Sequence, residues 1–129
     1  MGSSCPPNTL DAACIRYAAF EYYGRLGKVK RYIDRHFAED VTLKSAAEVA
    51  CLEEKYFSSY FHTKTGVRFI DFVSYVRIDH AKDLIKSHDM SISAIATIVG
   101  FHNPRTFERA FKKWSGITPR QFRDTVKPC

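Results

Sequence analysis

Apolar residues recur at i, i+3, i+4 and i+7 along most of the chain, and no segment alternates in the manner of a half-buried strand. The pattern predicts helices over 10–23 and 28–37. The second carries Val29, Ile33 and Phe37 on one face, and Gly24 and Gly27 bracket a break between the two. From Thr42 the punctuation sharpens. A threonine hydroxyl accepts from a first-turn amide, which makes Thr42 the N-cap of a helix over 43–50. A turn over 51–53 then leads to a helix over 54–65 that Gly66 ends in the left-handed conformation. A longer helix is expected over 69–87. Its Phe69, Phe72, Val73, Val76, Ile78, Ala81, Leu84 and Ile85 occupy more than one face, so it has two sides to bury and packs between two lobes. Ser91 caps a helix over 92–99, and Gly100 supplies a turn. Asn103-Pro104 opens a helix ending at Gly116, and Thr118-Pro119-Arg120-Gln121 has the form of a capping box for a last short helix.

The later elements repeat the earlier ones. Leu43, Ala46, Ala47, Ala50, Cys51 and Leu52 match Ile92, Ile95, Ala96, Val99, Gly100 and Phe101, 49 residues on, while Phe57, Phe61, Gly66 and Phe72 match Phe107, Phe111, Gly116 and Phe122, 50 residues on. Each copy reads as a helix-turn-helix. Ala47 and Ala96 let two helices cross closely, and the phenylalanine pair forms the buried stripe of the second helix, leaving its other face free. The expected fold is all-α, with an N-terminal extension (1–26), a first helix-turn-helix subdomain (27–68), a long linker helix (69–88) and a second helix-turn-helix subdomain (89–129). The linker spans roughly 28 Å at about 1.5 Å per residue, close to the roughly 34 Å of one duplex turn.

Charge gives the two copies different characters. The formal charge is +6. Residues 101–127 hold seven Lys or Arg against two Asp or Glu, whereas residues 42–66 hold three of each. A concentrated basic patch attracts polyanions, although by itself it is also what a solvated surface looks like. Glu53 and Glu54 open the second helix of the first copy and would repel phosphates, so the second lobe is expected to dominate binding. Cys5, Cys14, Cys51 and Cys129 fit no zinc framework. Cys51 falls in a helical apolar pattern and is expected to be a small core residue; a redox pair of Cys5 and Cys14 is open, with free thiols the default in a reducing cytoplasm. His36, His62, His80, His88 and His102 have no metal-like grouping. No catalytic constellation, cofactor motif or metal site is evident. The chain carries no run of apolar residues long enough to span a bilayer and no signal-peptide pattern, so a cytoplasmic location is expected.

The residues themselves are similar to a known family. Ile92-x-x-Ile95-Ala96-x-x-Val99-Gly100-Phe101, Phe107-x-Arg109-x-Phe111-Lys112-Lys113 and Gly116-Ile117-Thr118-Pro119-x-x-Phe122-Arg123 resemble the DNA-binding domain of AraC/XylS transcription regulators, and Arg77-Ile78-x-x-Ala81-x-x-Leu84-Ile85 resembles its linker signature. The resemblance covers about residues 28–124. It implies that each lobe places a recognition helix in the major groove of promoter DNA, and that RNA polymerase is a partner through which such proteins often activate transcription. Carried over by position, Lys55, Ser58 and Ser59 would meet bases in the first lobe, and Arg105, Thr106 and Arg109 in the second. Arg109 is the strongest candidate, since an arginine reaches guanine O6 and N7 with two bonds. Lys64, Lys112 and Lys113 are expected at phosphates, as are Thr42 and Ser91 beside the first amides of their helices.

Competing readings stay open at this point. The repeat is also what a duplicated helical hairpin without a ligand would look like. The neutral first lobe and the apolar segment over 10–23 fit a protein-interaction module acting on RNA polymerase or another regulator with weak DNA affinity. Arg77 is placed to tie the lobes together rather than to touch DNA. Trp114 and the phenylalanines are expected in the core. If the chain is complete, its abundance or a partner would set its activity; if it is a fragment, a sensor lies upstream of about residue 26, with 10–23 as connector or dimer helix.

Overall fold

Side-chain capping sets where four of the helices begin. The computed structural model describes residues 15–126. Among them the chain forms α1 (Ala18–Tyr22), α2 (Gly24–His36), α3 (Leu43–Ala50), α4 (Glu54–Thr65), α5 (Phe69–Ser87), α6 (Ile92–Ile98), α7 (Pro104–Ser115) and α8 (Pro119–Val126). Thr42 starts α3 with its hydroxyl accepting from the Ser45 amide at 3.0 Å, while the Thr42 amide donates to Ser45 Oγ at 3.1 Å. Ser91 accepts from the Ala94 amide to start α6. Asn103 accepts from the Arg105 amide at the start of α7, with Pro104 in the first turn. Thr118 and Gln121 close the expected box on α8: the Thr118 amide donates to Gln121 Oε1 at 2.9 Å, and the Gln121 amide donates to Thr118 Oγ1 at 3.2 Å. Each such cap is worth about 1 kcal/mol.

The internal repeat extends to individual backbone hydrogen bonds. Leu52 donates to the Ala47 carbonyl at 3.0 Å, as Phe101 does to Ala96 at 2.9 Å. Phe57 to Glu53 is matched by Phe107 to Asn103, Gly66 to His62 by Gly116 to Lys112, and Phe72 to Arg68 by Phe122 to Thr118. α8 therefore stands in the second copy where the start of α5 stands in the first. In both copies the phenylalanine pair is fully buried. Burial of one such side chain stabilises by about 1.5–3 kcal/mol, so these four rings anchor the two lobes.

The long helix buries residues toward both lobes, as its two-faced pattern requires. Phe69 and Phe72 meet the Phe57 and Phe61 rings of the first lobe, while Tyr75 packs on Trp114 of the second with ring centroids 4.9 Å apart. The N-terminal segment also joins the first lobe. Phe20 of α1 lies 5.1 Å from the Phe72 ring, and the Arg16 amide donates to the carbonyl of Thr65. Expectations for residues 10–14, and for Cys5 and Cys14, lie outside the described residues.

Three local expectations are corrected. Of the helix expected over 10–23, the described residues form only Ala18–Tyr22, with 15–17 outside it. The break between the first helices falls at Tyr23, which is extended (φ −100°, ψ 112°), so that α2 begins at Gly24 and not after Gly27. Gly27 sits inside α2, where an added Cβ would stand 2.9 Å from the Phe20 carbonyl oxygen. Its smallness serves the close approach of α1 and α2 rather than a chain break. Cys51, expected in the core, is exposed at the α3–α4 turn with a left-handed backbone (φ 58°, ψ 41°). The turn points its side chain outward, and the buried small positions of that lobe are Ala46, Ala47 and Ala50.

The lobes also touch directly. α2 ends at His36, which leaves its last carbonyls without helical partners. The Glu39 amide takes the His36 carbonyl, and Arg77 of α5 holds the segment that follows: Nε donates to the Phe37 carbonyl at 2.7 Å and an Nη to that of Glu39 at 2.9 Å. Burial lowers the Arg77 pKa from its ordinary value, and the charge of Asp40 opposes that shift. The guanidinium also lies over the Phe101 ring of the second lobe, 5.6 Å from its centroid. Among the described residues no helix is long and apolar enough to cross a membrane.

Candidate nucleic-acid interface

α7 divides cleanly by face. Phe107, Phe111 and Trp114 are buried, and Arg105, Thr106, Arg109, Lys112 and Lys113 are all exposed. Arg105, Arg109 and Lys112 follow one another at i, i+4 and i+7, which places them along a single stripe. The ion pairs found among the described residues join Lys30 to Asp34, His36 to Glu39 and His102 to Asp40. None takes up a cation of α7, so Arg109 is not spent on Glu108 or Asp124. Fixed positive charge along one exposed stripe of a helix is a surface suited to a polyanion.

α4 presents a different surface. Lys55, Ser58 and Ser59 are exposed, with His62 on the same side. Ser58, Ser59 and His62 line a cleft of about 680 Å³ together with Thr42 and Leu43 at the start of α3 and Arg68, Ile70, Ser74 and Arg77 around α5. Ile70 is 68% exposed there. Lys64 lies elsewhere on α4. Its ammonium sits 4.9 Å from the Tyr23 ring centroid and 5.9 Å from that of Tyr60, which ties it to the aromatic surface of α1 and α2. The structure thus brings Ser58, Ser59 and Thr42 together around one cleft and sets Lys64 apart from them.

Two further cations lie near Ser91. Arg120 and Arg123 of α8 line a second, open cavity of about 460 Å³ with Ser91 and Ser93 at the start of α6. Arg123 donates through an Nη to the Met90 carbonyl. The Thr118–Gln121 box locates the start of α8, and Arg120 and Arg123 are three apart on it. Nothing along the chain says that α8 folds back beside the first turn of α6.

A family model described as a helix-turn-helix domain matches residues 46–125. The chain belongs to the AraC/XylS family of transcription regulators. Among its relatives is the uncharacterized HTH-type transcriptional regulator YobQ of Bacillus subtilis, 30% identical over 95 residues, which are 74% of this chain and 39% of YobQ. The chain spans 13 to 39% of the length of the first curated relatives it matches. The C-terminal domain of AraT, a response regulator from Geobacillus stearothermophilus, superposes with a TM-score of 0.74 at 33% identity, covering 80% of this chain and 86% of that one. The DNA-binding domain of AdpA, solved with a target DNA, shares the fold at a TM-score of 0.73 and 22% identity, covering 81% and 96%. The chain is an AraC-type DNA-binding domain of a family of transcription regulators.

Proposed function

We propose that this domain binds promoter duplex DNA sequence-specifically, with its recognition helices α4 and α7 in successive major grooves and α7 supplying most of the affinity. One observation carries the reading: α7 buries its phenylalanine stripe and leaves Arg105, Thr106, Arg109, Lys112 and Lys113 exposed without carboxylate partners among the described residues. Arg109 reads guanine, with Arg105 and Thr106 reading bases from the first turn, while Lys112 and Lys113 hold phosphates. Lys55, Ser58 and Ser59 face bases in the first lobe with less energy. Thr42 and Ser91 stand beside phosphates with the free amides of α3 and α6, and Lys64 takes a phosphate from the edge of the first lobe. The AdpA domain of the same fold is solved on target DNA, which supports duplex DNA as the ligand. In a cytoplasmic regulator of this kind, RNA polymerase is the partner and activation the outcome.

Selection of duplexes from a random library by the purified chain tests the proposal. An enriched motif, bound at least about tenfold more tightly than its scrambled version at matched salt, is the expected result. Equal affinity for both would overturn it. A second reading, a module that acts chiefly by touching other proteins, is favoured by Tyr22 and Tyr56, which are 81% and 57% exposed beside the neutral first lobe. Specific binding that survives alanine at Arg105, Arg109 and Lys112 together would move the DNA role away from α7.

A further inference from the structure

We infer that Arg77 is the positioning residue of a joint between the lobes, and that this joint fixes the spacing at which the two helix-turn-helix units can engage one duplex. The inference rests on the duplex-binding reading above. A single helix joining two lobes leaves them a swivel wherever they pack only against that helix. Here a second connection exists. The segment after α2 belongs to the first lobe and the α6–α7 turn to the second, and the two meet directly. Arg77 holds the Phe37 and Glu39 carbonyls with two forks of one rigid guanidinium and lays the same group over the Phe101 ring. His102 Nε2 lies 3.2 Å from Asp40 Oδ1 across the same seam.

Gly100 marks how tight the seam is. Its φ is +105°, and an added Cβ would stand 3.0 Å from each of Ala38 Cα, the Phe37 carbonyl oxygen and Arg77 Nε. The matching residue of the first lobe is Cys51, whose side chain is exposed. The first-lobe turn accepts a side chain at φ 58° in open surroundings, whereas position 100 demands glycine twice over, by its φ of +105° and by the atoms of the joint packed against it. The joint breaks the symmetry of the two copies at a place where lobe faces lobe.

The consequence is geometric. One added base pair moves a half-site by about 3.4 Å along the duplex and by roughly 35° around it. Two lobes held by a planar guanidinium that is hydrogen-bonded twice to the first and lies over the Phe101 ring of the second cannot follow that displacement, so one lobe must give up its contacts.

The test uses the duplex that the wild-type chain itself selects, remade with one or two base pairs inserted or removed between its two protected half-sites. Wild type is expected to lose about tenfold or more in affinity per base pair. Arg77→Ala is expected to bind the parent duplex more weakly but to lose under about threefold across the series, and Arg77→Lys, with one ammonium for two carbonyls, to fall between. An Arg77→Ala spacing profile parallel to wild type would overturn the inference, since a residue that only stabilises the fold lowers every affinity alike. Should Arg77→Ala not fold, Arg77→Lys and a measurement on free wild type decide. Residual dipolar couplings from 27–68 and from 89–126 are expected to fit one alignment tensor, and two independent tensors would overturn the joint. Failure of the wild-type chain to prefer any duplex would instead remove the functional reading, leaving the couplings to judge the joint alone.

Discussion

Tyr75 of the linker helix and Trp114 of α7 pack with their ring centroids 4.9 Å apart at an interplanar angle of 58°. This contact fastens α7 to the linker helix. Trp114 is 9% exposed, and its Nε1 is buried with no hydrogen-bond partner, so the indole contributes packing while carrying a desolvation penalty. Trp114→Phe removes the orphaned donor and keeps an aromatic ring against Tyr75. It should change stability by less than about 1 kcal/mol, whereas Trp114→Ala should lose about 3–5 kcal/mol. Urea unfolding followed by circular dichroism separates the two. A Phe variant as unstable as the Ala variant would mean that the indole N–H has a partner after all.

The two turn residues predict opposite responses to the same kind of change. Cys51 is a left-handed non-glycine residue with an open side-chain environment. Cys51→Gly relieves left-handed strain of about 1–2 kcal/mol against an unfolded-state entropy cost of about 0.4–1 kcal/mol, so it should be neutral to mildly stabilising. Gly100→Ala forces a Cβ against two backbone atoms and a guanidinium at a φ that side chains rarely adopt. It should lose about 2 kcal/mol or more. Denaturant midpoints of both variants check the pair, and an undisturbed Gly100→Ala would argue that the seam is looser than these distances indicate.

The caps explain why so much of this fold could be read along the chain. Thr42, Ser91, Asn103 and Thr118 each announce a helix by local chemistry, and the phenylalanine pairs announce its buried face. Where local cues carry two meanings, the reading fails. A glycine near a helix end serves as a breaker or as a close contact, and Gly27 is the second kind. A cysteine is small enough for a core, yet Cys51 sits where the turn demands a left-handed residue that points outward. The interface follows the same division. The exposed cations of α7 follow from period and charge alone. The lobe-to-lobe seam needs residues 37–40 to meet 100–102, and the cavity beside Ser91 needs α8 to return to α6; neither meeting leaves a trace in periodicity. Arg77 lies between the cases, since its place on a two-sided helix suggests a tie without saying what it grips.

Alkaline stability should depend on Tyr17. Burial, then the neighbouring Tyr75 hydroxyl and the charges of Asp79 and Asp34, push its pKa well above the ordinary tyrosine value. The folded state therefore keeps the phenol proton longer than the unfolded chain does. Below the unfolded value of about 10, both states are protonated and the contribution is fully present; it is lost as pH rises beyond that. Wild type should lose more stability than Tyr17→Phe between about pH 9 and about pH 11, because the variant has no phenol to ionise at this site. Urea midpoints at the two values give the comparison, and equal losses in both proteins would place the Tyr17 hydroxyl in free contact with water.

Affinity and specificity should separate along α7. Arg109 stands on the exposed stripe, unpaired with any carboxylate among the described residues. If it grips a guanine edge, Arg109→Ala should cost about 1–3 kcal/mol at the selected sequence and much less on scrambled duplex, relaxing preference at one position. Lys112→Ala, removing a phosphate contact, should weaken binding to both duplexes by a similar factor and reduce the slope of log affinity against log salt by about one. Lys55→Ala in the first lobe should do less than either, because the charges of Glu48, Glu53 and Glu54 already offset its cations there. Titrations at several salt concentrations on both duplexes distinguish these behaviours. A Lys55→Ala loss exceeding that of Arg109→Ala would invert the assignment and make the neutral lobe the one that reads sequence.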